Sequence, residues 1–344
     1  MPGDDEKKRA PRNRTLVLSR NDRERLRPFL LDNIEPHKHA SPEGVILGDC
    51  IKYAKQLPNS TVDLLFLDPP YNMTKSFHGF SFSKKSVDDY ADWLESIIIA
   101  FKPALKPTAT IYICGDWCSS PSIFRAASAH YIVRNRITWE REKGRGALKN
   151  WKNSCEDIWY CTVSDDYLFD LEAVKIRRRV IAPYTNSDGS PKDWQKTSQG
   201  GFRDTHPSNF WTDITIPFWS MPENTDHPTQ KSEKLLAKLL LASTKPGDYV
   251  LDPFMGSGTT NVVAKKLNRR ALGIEINEEY ALWALRRLEL ANIDASIQGY
   301  TDGVFWERNT LASQVQNGTG KKEEADDGNQ GLFGFIDKSA PKSE

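Results

Sequence analysis

The chain has no apolar run approaching the roughly 18 residues that a membrane-spanning helix requires, so no helical membrane segment is expected. Met1 to Arg9 is charged and has no apolar stretch behind it, which is not the pattern of a secretory leader. A cytoplasmic protein is expected. Cysteine is scarce: Cys50, Cys114, Cys118, Cys155 and Cys161 are an odd, scattered set of five. Cys114 and Cys118 lie close together, but no second Cys or His pair stands at zinc-finger spacing. Reduced, mostly buried thiols are therefore expected, with no metal site. An excess of one charge is lacking as well. Lys and Arg number 47 against 46 Asp and Glu, and the formal net charge of +1 does not by itself mark a nucleic-acid binder.

What is present is ordinary globular material. The 344 residues are 38% hydrophobic and 27% charged, enough for one large domain or one domain with a sizeable insertion. Residues 1–14 and 312–344 are polar and poor in large apolar side chains, and read as disordered tails. Within the second, Gln330 to Phe335 forms an aromatic island, either inert or a short docking peptide. A helix is expected from Asn21 to Leu31, capped by Asn21 or Ser19.

From Val45 the pattern becomes α/β. Val62 to Leu67 is a short apolar run that ends in Asp-Pro-Pro and reads as a buried parallel strand. Ser86 to Phe101 has helical spacing, and Thr110–Cys114, Tyr131–Trp139 and Asp157–Thr162 read as strands. Residues 172–226 lose periodicity and are rich in Pro, Gly, Ser, Asn and aromatics. Regular alternation then resumes: a helix from Lys231, a strand Tyr249–Asp252, a helix Gly258–Leu267, a strand Ala271–Glu275 and a helix Glu278–Ala291. The expected fold is a doubly wound, mostly parallel sheet, with a domain over 45–311 interrupted by an irregular insertion at 172–226 and preceded by a tail and helix over 1–44.

Two segments carry chemistry. In Asp252-Pro-Phe254-Met-Gly256-Ser257-Gly258, a strand ends, two glycines make a tight turn and a helix begins, which brings backbone N–H groups close to a ligand. A dinucleotide loop would place a third glycine where Asn261 stands, and a phosphate loop would follow Gly258 with Lys. The loop therefore suits a ligand without phosphates, although a plain strand–turn–helix remains the bland alternative. Glu275, at the end of the next strand, stands where such sheets hydrogen-bond ribose hydroxyls, unless it is simply a surface acid. The other segment is Asp68-Pro69-Pro70-Tyr71, a carboxylate at a strand end followed by two stiff residues and an aromatic face. An exocyclic amine on a heteroaromatic ring needs two acceptors, here the Asp68 carboxylate and the Pro69 carbonyl, and a stacking surface, here Tyr71. Held so, its nitrogen lone pair is aimed at a methyl donor, and transfer depends on positioning and electrostatics.

Asp68-Pro-Pro-Tyr71 standing before the Phe254-Met-Gly-Ser-Gly258 loop resembles the β-class amino-DNA methyltransferases of bacterial restriction-modification systems. The resemblance spans about 45 to 290. It implies a Rossmann-like S-adenosylmethionine-dependent methyltransferase fold, S-adenosyl-L-methionine as cofactor and double-stranded DNA as partner, in the bacterial cytosol or nucleoid. It further implies that Asp49, in Gly48-Asp-Cys50, lies near the cofactor adenine, and that Lys231, in His227-Pro-Thr-Gln-Lys231, borders the methionine moiety. Asn153 to Tyr160, with Glu156, looks like the segment that braces the target base. Cys155-Glu156 departs from the frequent His-Glu, and Ser232 stands where another proline is common. Enzymes that methylate cytosine carbon-5 use a nucleophilic Cys in a Pro-Cys motif, which is lacking here, so an amine nitrogen is the expected acceptor. The Asp-Pro-Pro-Tyr form is more typical of adenine-N6 than of cytosine-N4 enzymes. RNA or protein amine methylation is disfavoured by the motif order, and an oxidoreductase by the missing glycine.

Because the target amine is buried in duplex DNA, its base must flip out. Seven Lys and Arg lie between Arg134 and Lys152 against two acids, and Lys175 to Arg179 follows soon after. Arg141, Lys143, Arg145, Lys149, Arg177, Arg178 and Arg179 are therefore candidate phosphate contacts, with Trp211 a candidate in the insertion. By position, 172–226 is the expected target-recognition segment. The resemblance also admits a homodimer and a cognate restriction endonuclease without stable contact.

Overall fold

Alternating strands and amphipathic helices of this kind bury one apolar face per helix and both faces of each strand, and the chain resolves that demand as a layered sheet. The computed structural model describes residues 10–33, 41–77, 80–141, 149, 151–181, 183–197, 200–310 and 314. Lys143, Arg145 and the Gln330–Phe335 island lie outside the described residues. In chain order the elements are α1 (Arg20–Leu26), β1 (Gly44–Leu47), α2 (Cys50–Ala54), β2 (Val62–Leu67), β3 (Lys75–Phe77), β4 (Phe80–Phe82), α3 (Val87–Phe101), β5 (Leu105–Gly115), α4 (Ser120–Ser128), β6 (Ile132–Glu140) and β7 (Cys155–Thr162). There follow β8 (Ile176–Arg179), β9 (Gln195–Thr197), β10 (Gly200–Thr205), β11 (Phe210–Trp211), α5 (Glu233–Ser243), β12 (Tyr249–Asp252), α6 (Thr259–Lys266), β13 (Arg270–Glu275), α7 (Glu278–Ile293), β14 (Tyr300–Thr301) and β15 (Val304–Trp306).

The main sheet has the order β1-β13-β12-β2-β5-β7-β6-β11. Its neighbours run parallel from β1 through β5, β7 is antiparallel to both β5 and β6, and β11 returns parallel to β6. Side chains of β2 alternate between two cores, as a two-residue period requires. Leu65 and Leu67 pack with Leu94, Ile98 and Phe101 of α3, whereas Leu64 and Phe66 pack with Leu235, Leu236 and Leu239 of α5. Val62, Leu64, Leu65 and Leu67 have no exposure at all, which accounts for the unbroken apolar run in the sequence.

Helix α1 is capped by Ser19, whose N–H donates in return to the Asp22 carboxylate, and ends at Leu26, short of the expected Leu31. It lies on α7, where Arg23 pairs with Glu279 and Arg27 with Glu278. The first described residues are also attached: Arg14 N–H donates to the Trp219 carbonyl, and Leu16 bridges Thr225. The insertion is less irregular than its composition indicates. A second sheet runs β14-β15-β8-β10-β9, so three short strands of the insertion are completed by two strands from beyond α7. Strands of two to six residues are too short to show periodicity, but Ile176, Phe202, Phe305 and Trp306 bury a common apolar seam.

Candidate active site

Parallel neighbours place their carboxyl ends on one edge of a sheet, and ligands collect outside that edge. Here β1, β13, β12 and β2 are consecutive, so Gly48-Asp49, Glu275, the glycine loop and Asp68-Pro-Pro-Tyr71 converge although up to 227 positions separate Gly48 from Glu275 in sequence. Between them lies a cavity of about 380 Å³. Its walls include Ile51, Trp93, Ile97 and Phe254, with Asp49, Asp68 and Glu275 as acids.

The motif after β2 is held from several sides. Tyr90 of α3 donates its hydroxyl to the Pro70 carbonyl at 2.9 Å. Asn72 is buried, takes the Ser119 hydroxyl on its N–H at 3.1 Å and exchanges bonds with the Lys85 backbone. The carboxylate of Asp68 accepts from Lys231 Nζ on both oxygens, at 2.8 and 2.7 Å, and lies 3.2 Å from the Tyr71 hydroxyl. That hydroxyl is also 3.0 Å from Glu156 Oε2 and 3.1 Å from Lys231 Nζ. Arg141 Nη1 donates to Glu156 Oε1 at 2.5 Å. Burial pushes the Asp68 carboxyl up and the Lys231 ammonium opposes that rise. Burial works against the Lys231 charge, but Asp68 and Glu156 outweigh it and hold the lysine above its ordinary value. Burial likewise opposes the Glu156 charge, and Lys231 with Arg141 overcomes it, so this acid stays ionised.

In the glycine loop the two glycines have different tasks. Gly256 has φ +54°, and a Cβ there would meet His227 Nε2 at 2.9 Å. Its N–H donates to Glu275 Oε2 at 2.9 Å, and Asn277 N–H donates to Oε1 at 2.8 Å. Gly258 has φ +78°, and a Cβ there would sit 2.4 Å from Ala284 Cβ on α7. Asp252 is buried behind the loop, accepting from the Thr260 hydroxyl at 2.5 Å and from Phe254 N–H at 3.0 Å. Ser257 is buried too, and its carbonyl accepts from Arg287 at 2.9 Å. Phe254, Gly256 and Glu275 thus face the cavity, whereas Asp252, Ser257 and Gly258 shape the loop from behind. Asp49 caps α2 through Ile51 N–H at 2.9 Å and lines the cavity as well. Lys231 is the one lysine or arginine among the described lining residues, and it is committed to Asp68. With acids and apolar walls but no cation to spare for phosphate, the cavity fits a cationic nucleoside such as S-adenosylmethionine better than a dinucleotide or nucleoside triphosphate.

The sequence profile of the N6/N4 DNA methylase family matches residues 62–286. The chain is 36% identical over 256 residues to DNA adenine methyltransferase YhdJ of Escherichia coli (strain K12), covering 72% of this chain and 83% of that one. It is 30% identical over 248 residues to Type II methyltransferase M.HpaI of Haemophilus parainfluenzae, covering 71% and 74%. This chain belongs to the N6/N4 DNA methylase family. Among solved structures, the fold is similar to that of the PvuII DNA methyltransferase (cytosine-N4-specific), with a TM-score of 0.52, 16% identity, and coverage of 72% of this chain and 87% of that one.

In this DNA methylase the expected DNA contacts divide. Trp211 lies buried in β11, with the Lys238 ammonium 4.4 Å from its ring and its N–H donated to the Ser208 carbonyl at 2.9 Å, which leaves little of its ring free to meet DNA. A tryptophan in an aromatic-rich insertion is as able to join the core as to meet a base, and here the parallel pairing with Trp139 decides. Arg141 is turned inward onto Glu156. Arg177 forms a two-bond pair with Asp204, both at 2.8 Å. Lys149 and Arg179 are exposed, and Arg178 is half-buried 3.9 Å from Glu307. Arg141 in its inward role, and His227 as a cavity wall packed edge-on against Tyr280 at 4.3 Å, are roles that the sequence did not assign, whereas Glu156 was singled out only through the resemblance. Their signal in the sequence was only their place beside the more legible segments. No helix among the described residues is long and apolar enough to cross a membrane.

Proposed function

We propose that this chain transfers the methyl group of S-adenosylmethionine to the exocyclic N6 of an adenine flipped out of duplex DNA. The observation that carries the reading is the placement of Asp68-Pro-Pro-Tyr71 on the same edge of the sheet as the glycine loop, with one cavity touching both. When bound, S-adenosylmethionine supplies a sulfonium methyl that a neutral amine can displace directly. Asp49 and Glu275 hold the ribose and base end of the cofactor against Ile51 and Phe254. The Asp68 carboxylate and the Pro69 carbonyl accept the two amine N–H bonds, and the Tyr71 ring supports the base. The rigid Pro-Pro turn, pinned by Tyr90, fixes the direction of the nitrogen lone pair, and Asp68 stabilises the positive charge that grows on that nitrogen. Adenine is preferred because the motif has the Asp form and because the relative at 36% identity is named an adenine methyltransferase. The Type II methyltransferases among its relatives support a role as the modification enzyme of a restriction-modification system.

Lys149, Arg178 and Arg179 are the described basic residues proposed for phosphate contact, and Lys143 and Arg145 extend that proposal along the same segment. A homodimer is proposed on the resemblance alone, to be checked by light scattering. The central reading is tested by incubating the chain with tritiated S-adenosylmethionine and unmethylated genomic DNA, then mapping the modified bases by long-read sequencing. Label in N6-methyladenine at one short sequence supports it; label in N4-methylcytosine transfers the reading to the other base, and label confined to RNA or protein overturns it.

A further inference from the structure

Asp68 meets the cavity with its carboxylate already engaged. Lys231 Nζ donates to both carboxylate oxygens, and its third N–H is directed at the Tyr71 hydroxyl. An ammonium has three donors. Glu156 Oε2, 3.5 Å from the same nitrogen, is an ion-pair partner within reach, held at a longer distance than either oxygen of Asp68. Glu156 is also held in readiness: Arg141 fixes Oε1, while Oε2 is turned toward Tyr71 and Lys231. The side chains of Asp68, Lys231 and Glu156 are 17%, 7% and 8% exposed, so solvent does little to screen their charges. A carboxylate that already accepts from an ammonium on both oxygens is poorly placed to accept the N–H of a docking amine.

We propose that Lys231 is a movable counter-ion, resting on Asp68 before the target amine docks and passing to Glu156 when it does. Lys231 and Glu156 are then positioning residues for the transfer. A movement of about 0.7 Å takes Lys231 Nζ from 3.5 Å to the roughly 2.8 Å of an ordinary ammonium–carboxylate bond with Glu156, and it frees the Asp68 lone pairs for the amine N–H while the lysine stays near enough to keep Asp68 ionised. No proton changes hands in it. Before docking, two carboxylates face Lys231 and Arg141; afterwards Asp68 faces the amine, and Glu156 holds both cations. The inference rests on reading Asp68 as the acceptor of the amine. It departs from the resemblance, which places Lys231 beside the methionine moiety of the cofactor.

The test is single-turnover methyl transfer to unmethylated duplex DNA as a function of pH, with cofactor affinity measured by calorimetry on the same preparations. Glu156→Gln removes the charge that receives Lys231; the rate is expected to fall about 10- to 100-fold, the scale of a misplaced catalytic group, with cofactor Kd within about twofold. Lys231→Met leaves Asp68 facing Tyr71 from its own turn, Cys114 from β5, Glu156 from β7 and Asp252 from β12, with Arg141 reaching only Glu156. Activity needs the ionised carboxylate, so its acid limb is expected to move to higher pH. Lys231→Arg restores the charge on a rigid fork, and should recover the wild-type acid limb but not the full rate. A wild-type rate in Glu156→Gln, or an unmoved acid limb in Lys231→Met, overturns the proposal. So does a Lys231→Met variant whose defect is confined to cofactor affinity. If wild-type protein transfers no methyl group to DNA, the reading of Asp68 itself fails, an outcome visible before any variant is compared.

Discussion

Gly256→Ala and Gly258→Ala lie two positions apart in one loop, yet they should fail in different ways. Both glycines have positive φ, at +54° and +78°, where an alanine costs roughly 1–2 kcal/mol. Beyond that shared strain their surroundings differ. A Cβ on Gly258 would lie 2.4 Å from Ala284 Cβ and 3.0 Å from Ala284 Cα, so α7 itself must move. Overpacking of that kind costs about 1–3 kcal/mol. Together the two terms predict a loss of about 2–5 kcal/mol, and at about 2–4 °C per kcal/mol for a domain of this size, a melting temperature lower by on the order of 10 °C. A Cβ on Gly256 would instead meet a side chain, His227 Nε2 at 2.9 Å and Cε1 at 3.1 Å. The imidazole can yield, but it yields into the cavity that it lines. Gly256→Ala should therefore lose only the shared strain, a melting temperature lower by roughly 2–8 °C, while binding S-adenosylmethionine about tenfold more weakly, equivalent to about 1.4 kcal/mol. Differential scanning calorimetry and titration calorimetry on the two variants decide the matter. Equal melting losses, or an unchanged cofactor Kd in Gly256→Ala, would refute the division of labour within the loop.

Asp68→Asn keeps the shape but loses the charge that we propose stabilises a cationic amine; turnover should drop by at least about 10³-fold with cofactor binding retained, and residual activity near wild type would contradict the role. Trp211→Ala should cost about 3–5 kcal/mol of stability as a core truncation, with DNA affinity of the folded protein unchanged; a specific loss of DNA binding in gel-shift titrations would return this residue to the DNA face. Asp252 is raised by burial to about 7 from 3.8, so its proton is held more tightly in the folded chain than in the unfolded one. Its contribution is complete below 3.8 and is lost as pH rises through about 7. The melting temperature of Asp252→Asn relative to wild type should thus improve as pH rises across that window, with cofactor affinity preserved, and a pH-independent difference would exclude this account.

Much of the scaffold was legible because it depends on local pattern. The fully buried run Val62–Leu67 and the glycines at a strand–helix junction each have few physical alternatives, and parallel order then brings their ends together. What escaped was decided by tertiary pairing. Trp211 and Arg141 belong to types common at DNA surfaces, and only their partners, Lys238 and Glu156, show that they turn inward. The second sheet was hidden for another reason. Its strands are short, and part of it comes from beyond α7, where nothing in the local sequence points back to residues 176–205.

That last feature bears on how such an enzyme could be given a new target sequence. Because β15 pairs with β8, the module carrying Arg178 and Arg179 is assembled from two stretches of chain separated by the whole glycine-loop half of the fold. A chimera that exchanged residues 172–226 alone would set a foreign β8 against the native β15 and lose the shared packing of Phe202 on Trp306. On the reading of residues 172–226 as the target-recognition segment, specificity is not a detachable cassette. A graft must carry both stretches, and natural drift in one is constrained by the other.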